Sequence, residues 1–217
     1  MSEIDDLRAA WSSAEAVAFT GAGYRPDIED VWTLELTGDG DWIGAVYLPK
    51  NTRGGSVNQA YPGPGVVHRP TEELLARLEG YEPGTEPPPK TVGGLLMHLI
   101  PPPDTFRYQR ITVRTAEDIP AAVDRSLELA REHMLPWQRR YTDPAVLREY
   151  LAGKPYLKHL RYGNLRRLVV FEHLRGDDAG ARAALDAYRA EYPGSRAPEV
   201  QARHEAFVAA AVALLAR

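Results

Sequence analysis

The feature that most constrains this fold is a change of texture near residue 115. Before it, short runs of β-branched and aromatic residues alternate with Gly, Pro and Asp clusters. After it, Ala, Leu, Arg and Glu recur with helical period over long stretches. Strands first and helices after is the pattern of an α+β protein, not of an alternating α/β sheet. The expected architecture is a small antiparallel sheet packed by helices, followed by an all-helical C-terminal portion. The expected boundaries are 1–152 for the α+β domain and 153–217 for a helical extension packed on it.

Within the first part, residues 3–18 carry one apolar stripe through Ile4, Leu7, Ala10, Trp11 and Ala14, which predicts a helix. Residues 31–36 and 42–48 flank a Gly/Asp turn and read as a hairpin. Counting by two places Trp32 with Leu34 and Leu36, and Trp42 with Val46 and Leu48, so both tryptophans belong to apolar faces and to packing. Residues 54–61 are expected to form a third strand, 71–80 a short helix, and 92–100 a buried strand partnered by 106–113. Thr115 followed by Ala-Glu-Asp opens a helix that Leu135-Pro136-Trp137 is expected to stop. Later helices are expected from the Asp143-Pro144 cap to Gly153, and over about 156–175, 178–191 and 198–216.

Three stretches resemble the bacterial family known as domain of unknown function 4304. They are GAGYRPDIEDVWTLEL, VYLPKNTRGGSVNQAYPGPGVV and DIPAAVDRSLELAREHMLPWQRRYTDPAVLREYL. The resemblance spans about residues 5–152. It implies an α+β fold with a small antiparallel sheet and brings no catalytic residues with it.

Composition narrows the function classes. The chain has no cysteine, which removes disulfides, thiolate metal sites and cysteine nucleophiles together. Its net charge is −4, so a general basic footprint for nucleic acid is lacking. The longest apolar run, 206–216, is too short to span a bilayer. The opening MSEIDDLRAAWSSAEAV is acidic and amphipathic, unlike a signal peptide, and points to the cytoplasm.

No catalytic constellation is readable. The six histidines, His68, His98, His133, His159, His173 and His204, show no i,i+4 pair, so no metal site is expected. No cofactor motif is present. NTRGGS could form an anion nest with Arg53. The binding candidates are Tyr108 and Arg110 on the 106–114 strand, His98 beside it, and Arg139, Arg140 and Tyr141 in PWQRRY. The run KHLRYGNLRR reads as a local basic face on a helix. These features fit a non-enzymatic protein-interaction module, immunity-like or regulatory, with a protein partner or a second copy as its target. An enzyme or small-ligand binder using a sheet-lined pocket is the alternative.

Overall fold

The computed structural model describes residues 3–81, 90–94, 99–100, 108, 110–155, 158–192 and 194–216. It has the expected α+β class, with two antiparallel sheets and a C-terminal set of helices. The chain divides into two compact units. The first comprises Met1–Val66 and Val92–Thr142; the second comprises Val67–Thr91 and Asp143–Arg217. Residues 67–91 and 143–152, which the sequence reading gave to the first domain, therefore group with the C-terminal helices.

The first unit opens with α1 (Glu3–Gly21). Glu3, Asp5 and Asp6 sit in its first turn, where the helix dipole favours negative charge. Trp11, Glu15 and Phe19 recur every four residues and are its buried face. The helix closes when the Tyr24 N–H reaches back to the Phe19 carbonyl at 2.9 Å.

Among the described residues, seven of the eight strands that follow belong to this unit outright, and the sixth leaves it at Val66. One sheet has the order β1 (Arg25–Pro26), β2 (Val31–Glu35), β3 (Trp42–Tyr47), β6 (Gly63–His68), β7 (Val92–Gly93). Trp32 lies opposite Val46, and Leu34 opposite Gly44. That register puts both tryptophans on one apolar face, and both are buried. Trp32 stacks on Phe19 at 5.1 Å, and this face meets Leu48, Leu129 and Met134 in one core.

The second sheet has the order β4 (Lys50–Arg53), β5 (Ser56–Ala60), β8 (Arg110–Val113). Val57 pairs with Val113 and Gln59 with Ile111. Val57, Ile111 and Val113 face Trp11, Ile119 and Val123 in a second core. The expected third strand is thus a hairpin, turned at Gly54 (φ 58°) and Gly55 (φ 74°). Two successive left-handed residues are what a tight type I′ hairpin demands. An anion nest needs alternating hands of backbone, and Arg53 here is extended, so the nest reading is set aside.

Two other strand expectations shorten. The 92–100 strand is Val92–Gly93 among the described residues, and the 106–113 strand is Arg110–Val113, with Tyr108 in helical conformation. Gly94, Leu99 and Ile100 are not strand, and residues 95–98, 106, 107 and 109 lie outside the described residues.

The helical end of this unit departs most from expectation. Thr115, the expected cap, forms a reciprocal capping box with Asp118. From there α3 (Ile119–Glu128) does not stop at Leu135-Pro136-Trp137. It widens into a π-helical segment over Leu129–Met134 and continues as α4 (Leu135–Arg140). Proline lacks an N–H and clashes with the carbonyl four residues back, and the wider π turn relieves both problems without breaking the helix.

The second unit is helical: α2 (Arg69–Leu78), α5 (Pro144–Ala152), α6 (Lys158–Leu174), α7 (Asp178–Glu191) and α8 (Pro198–Leu215). Asp143 caps α5 through the Ala145 N–H, and Asp177 caps α7 through the Gly180 N–H, each at 2.8 Å. The α6–α7 pair, joined by the short Arg175–Asp177 connection, is a helical hairpin. Leu165, Val169, Phe171, Ala181, Leu185 and Tyr188 are buried in this unit, as is Phe207 of α8.

Candidate functional site

The candidate site is built on the continuous helix 119–140. Its anchor is Gln138, which is fully buried. The Gln138 side-chain amide donates to the carbonyls of Ala45 (2.9 Å) and Gly65 (3.1 Å), bridging β3 and β6. It can do so because position 44 is glycine: a Cβ there would stand 2.7 Å from Gln138 Oε1. With Gln138 turned inward, its neighbours Arg139 and Arg140 are exposed. Trp137 and Tyr141 pair their rings 4.7 Å apart beside them. Arg139, Arg140 and Tyr141 are therefore brought together, as the sequence suggested.

Neither Arg139 nor Arg140 has an acidic partner among the described residues, and neither has the exposed Arg131. Tyr24 lies below this helix, in one cluster with Leu129, Ala130 and Met134. Its hydroxyl is buried and has no hydrogen-bond partner, a condition that costs about 1–3 kcal/mol. Burial pushes the Tyr24 phenol above its ordinary range, while the Arg131 and Arg139 guanidiniums pull it back.

The other expected binding residues lie elsewhere. Tyr108 is in the core, 3% exposed. Its hydroxyl donates to Glu128 Oε1 at 2.8 Å, and its ring meets His133 edge-on at 5.4 Å. It is thus a core residue and not the exposed sheet face that alternation predicts, because the chain at 108 is helical. Arg110 pairs through its backbone with Ala60; its side chain lies outside the described residues, as does the whole of His98.

The basic run on α6 is consumed by ion pairs. Arg167 grips Glu72 with two hydrogen bonds, at 2.7 and 3.1 Å. Arg166 pairs with Glu79, and Arg161 takes both carboxylate oxygens of Glu191. Lys158 and His159 have side chains outside the described residues.

A constellation that sequence reasoning missed lies in the first unit. Lys50 Nζ stands 2.6 Å from Glu15 Oε2 and 2.6 Å from Asp30 Oδ1. It also lies over the Trp11 ring at 5.4 Å. Asp30 holds a left-handed backbone (φ 59°), and its other oxygen accepts the Lys50 N–H at 3.0 Å. Burial raises the Glu15 carboxyl, and Lys50 opposes the rise. Lys50 faces two carboxylates here, and Arg8 Nη2 stands 3.7 Å from Asp30 Oδ2, an arrangement that suits a tie between α1 and the strands.

Among the described residues, no group of three His, Asp or Glu side chains could hold a metal ion, and no helix is long and apolar enough to cross a membrane. The class these observations define is an α+β protein with a helical second unit. No family model matches the chain, and no curated protein or solved structure matches it.

Proposed function

We propose that the protein is a non-enzymatic interaction module, regulatory or immunity-like, that meets an acidic protein partner with the end of the 119–140 helix. One observation carries the reading. Arg139 and Arg140 stand without acidic partners among the described residues, beside the Trp137–Tyr141 ring pair, on a helix end fixed by buried Gln138. Arginine and large aromatics on a rigid support are the residue types that dominate binding energy at interfaces. The kinship with domain of unknown function 4304 and a cytoplasmic setting belong to the same proposal. The first is supported by the quoted stretches of sequence, the second by the acidic, cysteine-free composition.

The alternative, a small-ligand site lined by the sheet around Tyr108, draws less support, since the Tyr108 hydroxyl is engaged by Glu128 in the core. The test is site-specific photo-crosslinking from position 140 in the native host, with position 77 on α2 as control. The expected result is one protein partner from position 140, lost in an Arg139→Glu background. No partner from position 140, or equal capture in that background, overturns the reading.

A further inference from the structure

We infer that the folded chain joins Lys50 Nζ to Asp30 Cγ in an amide cross-link, with Glu15 as the catalytic residue that moves the protons. The inference stands apart from the interaction reading, since it concerns a covalent modification that the chain makes on itself.

Three observations carry it. First, the nucleophile touches both its target and a proton carrier. Lys50 Nζ stands 2.6 Å from Asp30 Oδ1 and 2.6 Å from Glu15 Oε2. An amine held against a carboxyl in one geometry reacts as an intramolecular pair, for which effective molarities reach about 10⁵ M and above.

Second, the site is closed to solvent. The Lys50 and Glu15 side chains are 1% exposed and that of Asp30 is 11% exposed. The Trp11 ring lies 5.4 Å from Nζ. Condensing an ammonium with a carboxylate replaces two buried charges by one neutral amide, and burial is what makes those charges costly. The same closure disfavours hydrolysis of the product.

Third, Asp30 is presented as an electrophile. Its backbone is left-handed (φ 59°), and its carbonyl accepts the Leu48 N–H at 2.8 Å. Its side-chain Oδ2 accepts the Lys50 backbone N–H at 3.0 Å and lies 3.7 Å from Arg8 Nη2. A backbone N–H and a guanidinium on one carboxyl oxygen are the groups that stabilise a developing oxyanion.

The ion pair is the reactant. Glu15 takes one proton from the Lys50 ammonium and delivers it to Asp30 Oδ1, which leaves a neutral amine and a neutral acid. Lys50 Nζ then attacks Asp30 Cγ, and the negative charge of the tetrahedral intermediate falls on Oδ2. Glu15 carries a second proton from the nitrogen to Oδ1. The Cγ–Oδ1 bond breaks, one water leaves, and Glu15 returns to its starting state. No oxidant or co-reactant is consumed. Burial raises the Glu15 carboxyl, Lys50 opposes the rise and Asp30 adds to it, so Glu15 is suited to exchanging protons with a lysine.

The experiment is mass spectrometry of the denatured full chain after it has been held folded in neutral buffer. The wild type is expected to be lighter than its sequence by one water molecule. Digestion after glutamates cuts at Glu35 and separates residue 30 from residue 50, and a branched peptide joining the two pieces is expected. Asp30→Asn keeps a side chain that tolerates the left-handed backbone, and it is expected to link with loss of ammonia instead of water. Asp30→Ala and Glu15→Gln are expected to keep their full sequence masses, with a cooperative thermal transition showing that each is folded. A wild type at full sequence mass overturns the inference whatever the variants do. A branch from Lys50 to Glu15, or a folded Glu15→Gln linked as completely as the wild type, overturns it too. Capture of a partner from position 140 does not depend on this bond, so the interaction reading stands or falls by its own test.

Discussion

Lys50 and Glu15 meet in the interior with Nζ and Oε2 2.6 Å apart, and both side chains are 1% exposed. The two residues are 35 positions apart, one on α1 and one opening β4. Both groups are closed to solvent, so Glu15 depends on Lys50, and Lys50 on Glu15 and Asp30, to offset its burial. Removing one partner of such a pair leaves the other buried and unmatched, which costs about 3–5 kcal/mol. Lys50→Met is therefore expected to lower the urea midpoint sharply. Adding Glu15→Gln to it is expected to recover part of the loss, because the stranded charge is gone. Urea unfolding of the two single variants and the double variant measures the coupling; an additive double would contradict it.

Among the described residues two non-glycine residues hold a left-handed backbone, Asp30 (φ 59°) and Tyr61 (φ 54°), and they should respond oppositely to glycine. Tyr61 is 83% exposed, and no hydrogen bond or ring contact holds its side chain. Tyr61→Gly relieves strain of about 1–2 kcal/mol against a somewhat smaller entropic loss, so stability is expected to hold or rise slightly. Asp30→Gly relieves the same strain but strips Lys50 of a carboxylate, and a net loss is expected. Chemical denaturation of both variants under one set of conditions checks the sign of each change.

The class of fold was legible because its signals are local. The alternation of Trp32, Leu34, Val46 and Leu48 places the hairpin face, and Thr115 with Asp118 places a helix start. The site was only half legible. Arg139, Arg140 and Tyr141 stand out by residue type, whereas the π turn over Leu129–Met134, through which their helix continues past Pro136, has no cue in the sequence pattern. Tyr108 misleads because strand alternation, counted back from Arg110, does not hold at a residue that is helical. The basic run on α6 looked solvated because its acids, Glu72, Glu79 and Glu191, are 30 to 95 positions away in the chain. Glu15 likewise reads as an ordinary helix acid until Lys50 arrives from another element.

Gln138 and Gly44 form a matched pair, and each is expected to be sensitive. Gly44→Ala drives a methyl group to 2.7 Å from Gln138 Oε1 and 3.0 Å from Leu36 Cδ2. Overpacking of this kind costs about 1–3 kcal/mol. Gln138→Ala leaves the Ala45 and Gly65 carbonyls without their shared donor and opens space above Gly44. The double variant is expected to be more stable than the sum of the two losses, because the new methyl occupies the vacated space. Guanidinium denaturation of the cycle tests this, and a purely additive result would count against a direct contact.

The second unit carries a titratable group whose sign can be worked through. His204 lies stacked on Tyr192 at 4.0 Å, with its Nδ1 2.8 Å from the Tyr188 hydroxyl. Burial lowers the His204 imidazole below its ordinary range, and Arg166 and Arg189 push the same way while Glu205 opposes them. Burial also raises the Tyr188 phenol to about 12, so it remains a neutral partner at any working pH. The folded protein thus binds the histidine proton less tightly than the unfolded chain does. Its contribution is fully present above the unfolded pKa of about 6.5 and is lost as pH falls through the lower folded value. Wild-type stability is therefore expected to decline from pH 7.5 to 5.5 more steeply than that of His204→Asn, which cannot take up the proton. Urea midpoints at those two pH values, read by near-ultraviolet signals of the tyrosine cluster, measure the difference; parallel declines in the two proteins would remove His204 as its source.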